Sequence, residues 1–275
     1  MEEKVKIVEV GPRDGLQNES LSLSVNERVE FIQKLIQAGV VFLEGGSFVS
    51  PNAIPQMAQS DEVWKKLQKE KADISFLVPN QRGFEQALSA GIKSIAVFTA
   101  TSETFNQKNI GKTVRESLDS YREILKTAKE RKMRVRGYIS TVFGCPYEGK
   151  QDIQKTLDIT KELFSMGCAE VSIGDTIGVA HPQQVEKFFE ALAKNFELQK
   201  IAAHLHDTRG MALANILTAL RVGVRIFDSS IGGLGGCPFA KGSSGNVATE
   251  EVVYLLEGLG YHTGLSIKEL FIAAE

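Results

Sequence analysis

The chain has 275 residues, 43% of them hydrophobic, and a formal net charge of −2. That apolar content suffices for one large α/β core, and the absence of a long basic run argues against nucleic-acid or membrane-surface binding. No apolar leader precedes the first strand pattern, no apolar run is long enough to span a bilayer, and three scattered cysteines (Cys145, Cys168, Cys237) read as reduced thiols, so a cytoplasmic protein is expected.

In chain order, Lys4 to Val10 alternates polar and apolar residues and predicts a strand. Gly11 to Glu19 reads as a loop. A helix is predicted from Ser24, with Glu27 completing a capping box and Gly39 at its end. Val40 to Leu43 is a second strand, running into Glu44-Gly45-Gly46-Ser47. Further strands are predicted at Ile74–Val78, Ile95–Phe98, within Arg134–Val142, and at Val171–Ile173, Ile201–His206 and Ile226–Ser230. Helical patterns separate them, among them Val114–Lys129, Ile153–Phe164 and Met211–Val222. Four helix ends share one signature: Gly39, Gly91, Gly167 or Gly223, then an apolar strand. Glycine suits the left-handed position that stops a helix. Eight strand–helix units imply right-handed crossovers and a parallel sheet, and fit an α/β (β/α)8 TIM barrel spanning 1–275 as one domain. A doubly wound sheet is the runner-up. It is disfavoured because no Gly-x-Gly-x-x-Gly turn follows the first strand.

In such a barrel, chemistry sits at the carboxyl ends of the strands. The polar residues fall there. His204 and His206 lie two apart at the seventh strand, so they share a face. They are half of a plausible metal site, or a packed and satisfied pair. Asp14, after the first strand, can add the carboxylate such a site lacks, or can be a plain turn residue. One carboxylate and two imidazoles leave positions open for water and substrate, which suits Mg2+ or Mn2+ without excluding zinc or iron. Arg13 can face an oxyanion, or simply pair with its neighbour. Glu44 reads as a support, for a histidine N–H or for Arg13. Asp175 reads equally as a helix cap or a site acid. The stretch Gly232–Asn246 holds six glycines and reads as a mobile loop, not a phosphate-binding one. Cys237 on it could transfer a proton on loop closure. Asn246 could offer a carbonyl oxygen to a metal or cap the helix that follows. Cys145 and Cys168 read as packing residues.

These residues resemble a known family. Gly11-Pro12-Arg13-Asp14-Gly15-Leu16-Gln17-Asn18-Glu19, Ser47-Phe48-Val49-Ser50-Pro51 and Gly144-Cys145-Pro146-Tyr147-Glu148-Gly149 are similar to blocks of the 3-hydroxy-3-methylglutaryl-CoA lyases. So are Gly174-Asp175-Thr176-Ile177-Gly178, His204-x-His206-Asp207-Thr208 and Gly233-Leu234-Gly235-Gly236-Cys237-Pro238. The likeness runs from Lys4 to about Gly264. The Arg-Asp-Gly turn and the histidine pair are shared across a superfamily of metal-dependent TIM-barrel lyases and synthases, whereas the Gly-Gly-Cys-Pro loop is specific to the lyases. The resemblance implies a metal held by Asp14, His204, His206 and Asn246. It implies Arg13 at the thioester carbonyl and enolate, Cys237 as the catalytic cysteine, constrained roles for Glu44 and Asp175, and Tyr138 in the acyl pocket. It implies retro-aldol cleavage to acetyl-CoA and acetoacetate, as in leucine degradation, by a homodimer. Asp175, His204 and Cys237 are the candidates for taking the C3 hydroxyl proton. Two departures stand out: Gly45-Gly46 where Thr or Ala is expected, loosening the second strand's end, and a chain ending at Glu275 where many relatives continue.

The rivals are a Claisen-type synthase joining acetyl-CoA to a 2-oxo acid, a lyase for a longer-branched glutaryl-CoA, and a non-catalytic metal or acyl-CoA binding barrel. Cys237 in its glycine loop favours the lyase over all but the second. A Schiff-base aldolase would need a lysine at a strand end, and Lys108, Lys112 and Lys241 all fall on loops. These three and Arg209 lie on the expected active face, where contacts to CoA phosphates compete with ordinary surface solvation.

Overall fold

A computed structural model describes residues 3–235 and 245–275. Its strands are β1 (Lys6–Glu9), β2 (Phe42–Ser47), β3 (Asp73–Leu77), β4 (Ser94–Ala100), β5 (Arg134–Ser140), β6 (Glu170–Asp175), β7 (Ile201–Leu205) and β8 (Ile226–Ser229). They form a closed barrel in sequence order, every neighbouring pair parallel and β8 pairing with β1. The (β/α)8 expectation holds. Helix α1 (Val25–Gln37) starts at the Ser24–Glu27 capping box. The order continues with α2 (Ser60–Leu67), α3 (Gln81–Ser89), α4 (Glu103–Ile110), α5 (Val114–Glu130), α6 (Ile153–Met166), α7 (Pro182–Ala193), α8 (Ala212–Val222), α9 (Thr249–Gly258) and α10 (Ile267–Ala274). The four junction glycines all take positive φ, at 99°, 75°, 108° and 118°. A side chain there would strain the backbone, which is why the helices stop at these points.

Strand residues alternate between two environments. Ile7, Phe76, Ile95, Val97, Val171, Ile173 and Phe227 belong to the large core between strands and helices. The intervening positions face the lumen. Val8, Val10, Ala202 and Ile226 form one small cluster there, and Leu77, Ala96 and Tyr138 another. The rest of the lumen is ionic. Arg136 contacts Glu170 and Asp228, and Glu170 also pairs with Lys6 and Arg134.

The end of β2 is not loose. Pairing with β3 shifts register between Glu44 and Gly46, a bulge that fits one extra residue into the strand. A Cβ on Gly45 would lie 2.6 Å from Ile74 Cγ2, and one on Gly46 would lie 2.6 Å from Ser60 Oγ and 2.7 Å from Arg28 Nη2. Arg28 donates to Ala58 O at 2.7 Å and to Ser60 Oγ at 3.2 Å. The expected loosening is therefore corrected: neighbouring side chains fill the space two glycines leave.

Candidate active site

The first predicted loop is tighter than expected. Gly11–Gly15 is one π-helical turn, followed by a 3-10 turn at Leu16–Asn18. The backbone N–H groups of Arg13, Asp14 and Gly15 all point at Val10 O, at 3.1, 2.7 and 3.3 Å. Such turns recur at functional sites because they re-aim side chains over a short span. Here Arg13 and Asp14 are turned over the carboxyl end of the barrel.

The guanidinium of Arg13 is gripped on both flanks. Its Nε and Nη2 meet Glu44 Oε2 at 2.7 and 2.5 Å, and its Nη1 donates to Asp14 Oδ1 at 2.8 Å. Burial works against the cation, but Glu44 and Asp14 outweigh it and keep Arg13 charged. Of the two supporting places foreseen for Glu44, the structure shows the one beneath Arg13. Burial raises the Glu44 carboxyl despite Arg13. Its Oε1 is buried with no partner among the described residues.

Asp14, His204 and His206 come together. One ligand atom from each lies within 4.8 Å of the others. Asp14 Oδ1 also accepts from Gln17 Nε2 at 3.0 Å, and its Oδ2 accepts from Asn246 Nδ2 at 2.9 Å. Burial pushes Asp14 upward, but Arg13, the two histidines and Asn246 hold it below the ordinary carboxylate range. Asn246 is not the cap of α9; that place is taken by Ala248. Instead Asn246 bridges to His206 in the backbone, which brings its amide against Asp14.

The two histidines are unequal. His204 Nδ1 lies 3.2 Å from Asp228 Oδ2, and its Nε2 lies 3.1 Å from His206 Nε2. Burial lowers His204, but Asp228 and Asp14 raise it overall. Burial and the neighbouring His204 push His206 down to about 3, so it is neutral. Its Nδ1 is buried without a partner among the described residues. An Nε2···Nε2 contact can be satisfied by one shared proton only, and a cation accepting both lone pairs satisfies it as well. A carboxylate with two imidazoles is a donor set that fits a divalent metal.

These groups line a cavity of about 680 Å3 at the carboxyl ends of the strands. Arg13, Asp14, Tyr138, His204 and His206 line it, as do Lys108 and Lys112. Tyr138 sits under Arg13, ring to guanidinium 5.6 Å, and edge-on to His204. Asp175 is placed differently. Its two oxygens accept from Val179 N at 3.0 Å and Ala180 N at 2.9 Å, and it is fully buried. It holds the loop after β6 and is not among the cavity's lining residues. Arg209 is likewise tied down, donating to Ile177 O and Gly178 O. Cys237 and Lys241 lie outside the described residues. The ends of that stretch are fixed at the site: Gly245 N donates to Gly235 O at 2.9 Å, and Asp207 N to Gly245 O at 2.7 Å. Sequence reasoning missed Asp228, Arg136 and Gln17.

A family model described as HMGL-like matches residues 4–275. The chain belongs to the HMGL-like family. It is 50% identical over 271 residues to the mitochondrial hydroxymethylglutaryl-CoA lyase of Bos taurus, covering 98% of this chain and 83% of that one. It is 48% identical over 273 residues to a 3-hydroxy-3-isohexenylglutaryl-CoA/hydroxy-methylglutaryl-CoA lyase of Pseudomonas aeruginosa, covering 99% and 91%. The structure of an HMG-CoA lyase from Acinetobacter baumannii in complex with coenzyme A and 3-methylmalate superposes with a TM-score of 0.93 at 33% identity, covering 98% and 89%. Membership in the HMGL-like family implies a divalent metal, in agreement with the donor set at Asp14, His204 and His206. Among the described residues, no helix is long and apolar enough to cross a membrane.

Proposed function

We propose that the chain cleaves 3-hydroxy-3-methylglutaryl-CoA to acetyl-CoA and acetoacetate, with Mg2+ or Mn2+ held by Asp14, His204, His206 and Asn246. The observation that carries this reading is the convergence of the Asp14, His204 and His206 side chains beside Arg13, at the mouth of one cavity, in an HMGL-like barrel.

The reaction breaks the C2–C3 bond of a tertiary β-hydroxy thioester. The C3 hydroxyl gives its proton to a base, for which His204 and Cys237 are the candidates, and C3 becomes the ketone carbon of acetoacetate. The bonding pair moves through C2 into the thioester carbonyl, giving an enolate that takes a proton at C2. A bound divalent cation supplies Lewis-acid stabilisation of negative charge on substrate oxygen. Arg13 stabilises the charge that develops on the thioester oxygen. It is suited to this because Glu44 and Asp14 fix its orientation before substrate arrives. Glu44 acts through Arg13 and is a positioning residue. Asp175 acts through the β6 loop in the same sense. Cys237 is the proton donor to C2 in this scheme; it lies outside the described residues, between Gly235 and Gly245, which hydrogen-bond to each other. Tyr138, between Arg13 and Arg136, forms part of the acyl wall. A homodimer and a cytoplasmic location belong to the same proposal.

Acetoacetate release from the purified protein tests it, with and without a chelator. Release that stops on metal removal and returns on adding Mg2+ or Mn2+ is expected. Absence of any metal-dependent release would refute the reading.

A further inference from the structure

We infer that Asp228 is a positioning residue that fixes which nitrogen of His204 is free for a cation, and so sets the affinity of the site. The inference rests on the metal reading given above. Asp228 lies on β8 directly opposite His204 on β7 and is 2% exposed. Its Oδ1 accepts from Arg136 Nη2 at 2.5 Å. Its Oδ2 accepts from Ser172 Oγ at 2.7 Å and from Arg136 Nη1 at 3.1 Å, and lies 3.2 Å from His204 Nδ1. A carboxylate gripped by a two-pronged guanidinium stays ionised, and an ionised carboxylate only accepts. His204 must therefore carry its proton on Nδ1. Its Nε2 is then the nitrogen left facing the mouth of the barrel.

His204 Nε2 lies 3.1 Å from His206 Nε2, so it is the nitrogen turned toward the donor cluster with Asp14. His204 is thus set to ligate through Nε2, because Nδ1 keeps its proton against Asp228 in the neutral ring and in the cation alike. The support runs deeper. Arg136 is itself held by Glu170 Oε1 at 2.6 Å, so Asp228 is anchored to the lumen column and not only to its own strand.

Outer partners of this kind typically contribute 10- to 100-fold in metal affinity. The test has two arms. In metal-free native protein labelled with nitrogen-15 histidine, long-range nitrogen–proton correlation should show His204 protonated at Nδ1. Free Mn2+, counted by electron paramagnetic resonance, should then give about 10- to 100-fold weaker binding for Asp228→Asn than for the native protein. Asp73→Asn is the control. It breaks the Arg134–Asp73 pair, which does not touch either histidine, and should leave Mn2+ affinity unchanged. A His204 without a proton on Nδ1 in the native protein overturns the inference, and this arm stands even where Asp228→Asn fails to fold. Native affinity in Asp228→Asn, or an equal loss in Asp73→Asn, overturns it too. A native protein that binds no Mn2+ overturns the metal reading itself.

Discussion

Replacing Glu44 by Gln isolates what the grip on Arg13 contributes to catalysis. The change keeps an oxygen facing the guanidinium and removes the charge. Its amide NH2 takes the place of Oε1, which already lacks a partner among the described residues, so no other described hydrogen bond is broken. Two contacts are affected, from Nε at 2.7 Å and from Nη2 at 2.5 Å. The guanidinium stays ionised, so each contact loses only the attraction of the second charge, about 0.5–1 kcal/mol. The guanidinium is then about 1–2 kcal/mol less firmly held. If its fixed orientation is what stabilises the developing enolate, kcat falls about 5- to 30-fold. Mn2+ affinity should stay the same, because neither histidine touches Glu44. The assay is initial-rate acetoacetate release at saturating substrate and metal, paired with a Mn2+ titration. Native kcat would refute the positioning argument. A parallel loss of Mn2+ binding would instead tie Glu44 to the metal.

Cys237→Ala should lower kcat by ~10² or more while Mn2+ still binds, if the thiol delivers the proton to C2; near-native turnover removes it from the scheme. Gly46→Ala should cost about 1–3 kcal/mol in urea unfolding, because its Cβ would meet Ser60 Oγ and Arg28 Nη2 inside a packed bulge. No loss would mean that Arg28 gives way freely. Glu9→Gln should remove a pH dependence. Glu9 is wholly buried, and burial raises it from 4.5 to about 7 against bonds from Thr249, Ile231 and Gly11. Between those values the unfolded chain has lost a proton that the folded chain keeps, so stability falls as pH rises and levels off above about 7. The gap corresponds to about 3 kcal/mol. The stability of Glu9→Gln relative to the native protein should therefore rise by about that amount from pH about 4.5 to about 8, read as urea midpoints; a flat difference would refute the burial argument.

The barrel was legible because its punctuation is local. Gly39, Gly91, Gly167 and Gly223 each stop a helix by a conformation that only the residue itself determines. Asp14, His204 and His206 were legible for a related reason: strand ends can be placed from the apolar pattern, and strand ends are where polar side chains meet. Asp228, Arg136 and Glu170 were not. Their partners lie on other strands, 92 residues apart for Arg136 and Asp228. A signal was present nonetheless. Arg134, Arg136 and Tyr138 are polar at every second position of a strand whose other residues are apolar, and Glu170 and Ser172 repeat the pattern on the next. In a barrel closed on itself, that alternation points into the lumen and not to solvent. The bulge at Gly45-Gly46 was misread because its cause, the pair Arg28 and Ser60, reaches it from two helices.

The ionic lumen bears on why Asp228 is where it is. Taking charges out of water costs several kcal/mol per ion, and a well-packed apolar replacement is often as stable or more so. Part of the lumen near β1, β3 and β4 has that apolar form, in Val8, Val10, Leu77 and Ala96. The charges instead run in one column from Lys6 and Arg134 through Glu170 and Arg136 to Asp228, and end at His204. Stability does not ask for such a column. Orientation of a strand-borne histidine does. Its ring must be held from beneath, where backbone groups are already committed to the sheet, and only an inward-facing side chain on a neighbouring strand can reach it. An anion there needs a cation below it, and that cation needs Glu170. Replacing Arg136, Glu170 and Asp228 together by apolar residues should therefore be tolerated better by the fold than by the site. Urea midpoints should change less than Mn2+ affinity does. The opposite ordering would make the column a stabilising device and not a positioning one.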